Sequence, residues 1–160
     1  MKDARNTRGR LYAALICLTL APTIGTAEQL VVQKVDEAAP LAALSVQAGE
    51  RWSVLWNHSV DGYEVEDIYE NRDGLMVLVR SHLPDFGTGL DHMPGRGRQV
   101  SDGRGGYWIE DLNEPVPGNA YVLRPGRANV NHRLRTAHAE VSLTALGAHQ
   151  RLRIALTPAP

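Results

Sequence analysis

Thiol chemistry is almost missing from this sequence: the one cysteine among 160 residues, Cys17, sits inside an apolar run near the start. If that run is removed as a secretory signal, the remaining chain has no thiol, and disulfides, thiol nucleophiles and cysteine metal sites are excluded together. The strings that announce common catalytic chemistries are missing as well. No GxSxG, HExxH or GKS occurs, so a nucleophile elbow, a zinc-protease helix and a phosphate loop have no support. There is also no internal repeat, no low-complexity tail, and no apolar run that reaches the ~20 residues needed to cross a bilayer.

What the chain does have begins with MKDARNTRGR, followed by LYAALICLTLAP and the small residues Gly25, Thr26 and Ala27. A basic start, a short apolar run and a small-residue exit make a secretory signal over residues 1–27, with cleavage expected after Ala27 and a periplasmic destination. A retained membrane anchor is the alternative. Ile16 stands before Cys17 where a lipoprotein signal needs a small residue, so lipidation is not expected. Loss of four basic residues (Lys2, Arg5, Arg8, Arg10) and one acid (Asp3) moves the formal charge from -1 to -4. No basic stripe interleaved with aromatics remains, which argues against nucleic acid as a partner and leaves the membrane reachable only through a partner or an uncleaved signal. Residues 28–160 suit one domain.

The ordered-looking segments are short, rich in Val, Leu, Ile, Tyr and Trp, and separated by Gly, Pro, Asp and Asn. Strands are expected over residues 30–35, 51–59, 64–70, 75–82, 107–110, 120–124, 140–143 and 151–157. About eight such strands with turn signals between them predict an all-β antiparallel sandwich or barrel-like domain. Helix candidates are weak: DEAAPLAAL is interrupted by Pro40, and SLTALG suits one turn ending at Gly147. The connection between residues 83 and 106 is long and glycine-rich, and is expected to be ordered near Phe86 and loose near Gly97.

Asp61-Gly62 reads as a two-residue hairpin turn pairing His58 with Val65 and Trp56 with Asp67. Strand alternation then puts Trp52, Val54, Trp56 and His58 on one face with Val65, Asp67 and Tyr69. His58 and Asp67 become diagonal neighbours on an apolar face, where a carboxylate is costly unless it is paired. Three readings follow: the two satisfy each other in the core, they line a ligand or partner cavity, or they carry acid-base chemistry. Ser59 points away from His58, so the two are not a nucleophile and its base.

WNHSV at residues 56–60, the acid Asp67, FGTGL at residues 86–90, YWIE and NHRL together resemble the bacterial family called domain of unknown function 1850, over about residues 45–157. The resemblance implies an exported or membrane-anchored protein with an accessory role beside a tripartite (TRAP) transporter of the TAXI type, and the missing nucleophile and catalytic strings make a non-enzymatic role the expectation. Its implied partners are the TAXI-type solute-binding protein or the membrane subunits, and no cofactor is expected. The positions carried over are His58, Ser59, Val60, Asp67, Phe86, Gly87, Gly89 and His132. Glu64 stands where the family commonly has proline, Glu66 adjoins the matched acid, and the basic glycine-rich stretch after Gly95 is longer than usual.

A second reading, from another class, is a small-ligand or metal-binding protein or enzyme that uses His58, Asp67 and His132 as two nitrogens and one oxygen. His132 and His138 also stand at a permissible ligand spacing. The FGTGL glycines suit either an anion-binding nest assisted by Arg96, Arg98 and Arg104 or a tight turn that needs positive φ. Trp52, Trp56, Trp108, Tyr107 and Phe86 suit a core or a stacking platform.

Overall fold

A computed structural model describes residues 27–83 and 95–160. Twelve strands follow in chain order: β1 (Glu28–Lys34), β2 (Pro40–Val46), β3 (Arg51–Asn57), β4 (Glu64–Arg72), β5 (Leu75–Leu83), β6 (Arg98–Ser101), β7 (Tyr107–Glu110), β8 (Glu114–Pro115), β9 (Ala120–Leu123), β10 (Arg133–Arg135), β11 (Glu140–Ser142) and β12 (Leu152–Pro158). One helical turn, α1 (Leu143–Gly147), forms in the SLTALG stretch as its composition predicts, and the Ser142 hydroxyl caps it by accepting the Ala145 N–H at 3.1 Å.

Two antiparallel sheets pack as a sandwich. The smaller runs β2-β1-β12-β9, and the larger runs β11-β10-β3-β4-β5-β7-β6 with β8 attached to β5. Their facing side chains form the main core, in which Leu30, Val32, Ile154 and Leu156 of the small sheet meet Trp52, Val54, Met76 and Leu134 of the large one. A second cluster, Val65, Leu83, Tyr107, Ile109 and Leu112, continues along the large sheet toward β7.

Each of the eight expected strands is present, and four more join them. β6 (RQVS), β8 (EP) and β10 (RLR) are short and mostly polar or charged, so no apolar alternation registers in the sequence. β2 corrects the weak helix expected in DEAAPLAAL. Pro40 occupies the first strand position, where a missing N–H is tolerated, and Leu44 and Val46 turn inward while Ala43 and Ser45 stay exposed.

The β3–β4 hairpin differs from the expected register by two residues. Asn57 pairs with Glu64, Trp56 with Val65 and Val54 with Asp67. The connection spans residues 58–63, closed by the His58 N–H donating to Tyr63 O at 2.7 Å and the Gly62 N–H to His58 O at 3.0 Å. A two-residue turn of the kind that matches strand twist needs positive φ at both positions, and here Gly62 has it (φ +75°) while Asp61 does not. The Asp-Gly pair that makes such a turn is Asp73-Gly74, with φ of 51° and 82°, between the paired residues Arg72 and Leu75. A shift of two residues preserves side-chain parity, so Trp52, Val54, Trp56, Val65, Asp67 and Tyr69 still share the inner face.

Candidate functional site

One row of side chains crosses the inner face of the large sheet. Register places Leu134 beside Val54, Val54 beside Asp67, Asp67 beside Ser81, and Ser81 beside Ile109. Two polar residues therefore stand in the middle of an otherwise apolar row. The Ser81 hydroxyl donates to Asp67 Oδ1 at 2.5 Å. Burial pushes the Asp67 pKa up, opposed by that hydrogen bond and by the charge of Arg96, and reinforced by the nearby carboxylates of Glu114 and Glu66.

The small sheet has fewer strands than the large one, and beyond its edge strand β9 the inner face carries a cleft. Two adjoining cavities share Trp56 and Asp67 as a common wall. One, of about 240 Å³, is bounded by Val65, Leu78, Ser81, Leu83, Arg96 and Ile109. The other, of about 200 Å³, is bounded by Val54, Tyr69, Tyr121, Leu123 and His132. Two stacked ring pairs flank the second cavity: Trp56 with His132 at 6.0 Å and 7°, and Tyr69 with Tyr121 at 5.2 Å and 10°. Trp52 continues the tyrosine column, 5.8 Å from Tyr69, but is itself buried in the core.

The ionisation states here follow from desolvation. Burial, then the charge of Asp67, raises the Tyr69 pKa, and burial raises that of Tyr121 well above its ordinary value. Burial lowers the His132 pKa, and its Nδ1 accepts the Gly126 N–H at 3.2 Å, so the neutral ring carries its proton on Nε2. Arg96 is engaged by both oxygens of Glu114, at 2.5 and 2.7 Å. The Tyr121 hydroxyl and the Trp52 indole N–H are buried and find no hydrogen-bond partner among the described residues. They lie near enough for Trp52 to draw the Tyr121 pKa down slightly, although the approach falls outside hydrogen-bond geometry.

His58 is not at this site, which corrects the diagonal pairing with Asp67. The strand ends at Asn57, and His58 Nδ1 lies 2.9 Å from Asp61 Oδ2 within the hairpin connection. Ser59 and Val60 are exposed beside it. The structure thus brings Asp67 and His132 to one cavity and leaves His58 outside. Among the described residues no group of three or more His, Cys, Asp or Glu side chains could hold a metal ion, so the ligand set of His58, Asp67 and His132 is corrected too. His138 is exposed and meets Glu50 at 3.1 Å.

Phe86, Gly87 and Gly89 lie outside the described residues, but Leu83 and Arg96 on either side of that segment both border the larger cavity. Gly97, expected in a loose stretch, is held tightly: with φ +67°, a Cβ there would fall 2.5 Å from Glu110 O. Of the aromatic residues weighed as core or platform, Trp52 and Tyr107 are buried, Trp56 borders the cleft, and Trp108 lies under Arg80, whose guanidinium carbon is 3.7 Å from the ring centroid.

Sequence reasoning put Tyr69 on the face of the acid but missed Ser81 and Tyr121 as its neighbours. A β-bulge between Ile68 and Tyr69 shifts the β4–β5 register, so Ser81 cannot be placed opposite Asp67 by counting alternate residues. Tyr121 arrives from the other sheet, and only its position in an aromatic-containing strand hints at it.

No helix among the described residues is long and apolar enough to cross a membrane. Comparison with curated proteins and with solved structures gives no match. A family model described as Domain of unknown function (DUF1850) matches residues 53–143, a span that contains every cleft residue named above, and the chain belongs to that family.

Proposed function

We propose that this protein is an exported binding module rather than an enzyme, and that its binding site is the cleft bordered by Trp56, Asp67 and His132. The observation that carries this reading is a half-buried, largely desolvated carboxyl group, with one serine donor, at the junction of two cavities on an otherwise apolar sheet face. A buried acid opposes folding when it ionises, and a sandwich core gains nothing from having one there. Such groups are retained where a ligand or partner meets them. The accessory role beside a TAXI-type tripartite transporter, implied by the family resemblance, gives this module a setting: it would bind there on behalf of, or in contact with, the solute receptor or the membrane subunits.

The test is a cross-linking capture from the host's periplasmic and membrane fractions, run in parallel with the wild-type protein and the cleft variant Trp56→Ala. Capture of a transporter component by the wild type, lost with Trp56→Ala while the thermal midpoint stays within a few degrees, is the expected result. Equal capture by both proteins would remove the cleft from the interaction. No transporter component with either would end the accessory reading.

A further inference from the structure

The smaller cavity has a composition that defines a ligand chemistry. Its walls are two stacked ring pairs, Trp56–His132 and Tyr69–Tyr121, closed by the aliphatic Val54 and Leu123. Among the described residues that line it, Asp67 is the one acidic side chain and none is an arginine or lysine. Arg96 borders the adjoining cavity instead, where both oxygens of Glu114 hold its guanidinium.

From this geometry we infer that the cavity receives a compact organic ammonium group, with Asp67 as counter-ion and the aromatic side chains as walls. Electron-rich ring faces attract a cation that has shed part of its water, and the attraction strengthens in a desolvated site. Neither stacked pair alone would select a cation, since stacked aromatics serve equally as core. The carboxyl group beside them makes the combination specific: it attracts a cation, offers a neutral ligand no such gain and repels an anion, while the Arg96 charge that also reaches it is held by Glu114. Ser81 holds Oδ1 from the neighbouring strand, so the acid is oriented before a ligand arrives.

The groups facing Asp67 agree with this. His132 is neutral, Tyr69 and Tyr121 hold their protons, and Arg96 is compensated by Glu114, with Glu66 adding negative charge nearby. Binding of a cation should therefore strengthen as pH rises and Asp67 gives up its proton. The ammonium group could be carried by a free amine or by a lysine side chain of a partner, and the chemistry at Asp67 is the same.

This inference rests on the cleft being the binding site, and the experiment separates the two. Calorimetric titration of the protein as its host makes it would use n-butylammonium and tetramethylammonium against 1-butanol and butyrate, with Asp67→Asn as the variant and its thermal unfolding as the check on folding. Expected is at least tenfold tighter binding of the ammonium probes than of the other two, and loss of that preference in folded Asp67→Asn. Equal affinity for 1-butanol, or unchanged ammonium affinity in Asp67→Asn, would overturn the ammonium assignment while leaving the cleft as a site. No heat from any probe would overturn both. A blocked Gly-Lys-Gly peptide distinguishes the sources: binding tighter than n-butylammonium assigns the amine to a protein, and weaker binding assigns it to a small solute.

Discussion

Asp67 is a residue whose protonation and burial oppose each other. Its pKa is raised above the ordinary 3.8, so between that value and the raised one the folded chain binds more protons than the unfolded chain. Stability attributable to the neutral acid is present in full below 3.8 and is lost as pH rises through the folded pKa. Replacing Asp67 by Asn keeps the shape and removes the charge. The variant is expected to be more stable than wild type at pH 7 by on the order of 1 kcal/mol, with the difference vanishing near pH 3, as thermal unfolding at the two pH values would read. A less stable variant at pH 7 would mean that the ionised carboxylate holds the fold together. His132 works in the opposite direction: lowered from 6.5 by burial, its contribution is present above that pH and is lost as pH falls through the lowered value.

At the scale of elements, the cleft depends on two close backbone approaches that only glycine allows. Gly97 joins Arg96 to β6 with φ +67°, and a Cβ would sit 2.5 Å from Glu110 O and 2.9 Å from Ile109 Cγ2. Gly97→Ala should cost about 2–4 kcal/mol through clash and backbone strain together and should displace Arg96 from the cleft edge. Gly103, also at positive φ but with open space for 4 Å around the place a Cβ would take, supplies the comparison: Gly103→Ala should cost about 1–2 kcal/mol, the strain of the left-handed conformation alone. Denaturant midpoints of the two variants would decide, and equal losses would show that conformation alone, not the approach to β7, makes Gly97 necessary. Gly126 has the same close character, with a Cβ placed 2.8 Å from Val130, and its N–H fixes the His132 ring.

At the scale of the whole molecule, the two sheets are joined at one corner by Asn71, which is fully buried at the end of β4. Its Nδ2 donates to Glu28 Oε2 at 2.9 Å and to Val46 O at 3.3 Å, both on the small sheet, while its Oδ1 accepts the Gly74 N–H at 2.9 Å. Asn71→Ala removes these three hydrogen bonds at a buried corner and should cost about 2–4 kcal/mol. Hydrogen exchange would show β1 and β2 amides losing more protection than those of β4 and β5, whereas uniform loss would argue that the sheets are not coupled through this corner.

Much of this is legible from composition and alternation. Eight of the strands, the sandwich class and the shared inner face of Trp56, Asp67 and Tyr69 follow from side-chain periodicity, which survives a two-residue slip because strand parity repeats every two residues. The presence of an acid on an apolar face is equally visible, and with it the suspicion of a site. Tertiary structure alone decided what surrounds that acid. The β-bulge sets Ser81 beside it, pairing of β10 with β3 brings His132 near Trp56, and the second sheet delivers Tyr121. The hairpin connection removes His58. Those neighbours depend on register, on sheet order and on where one sheet ends over the other, and none of these is encoded in the local alternation of the strands themselves.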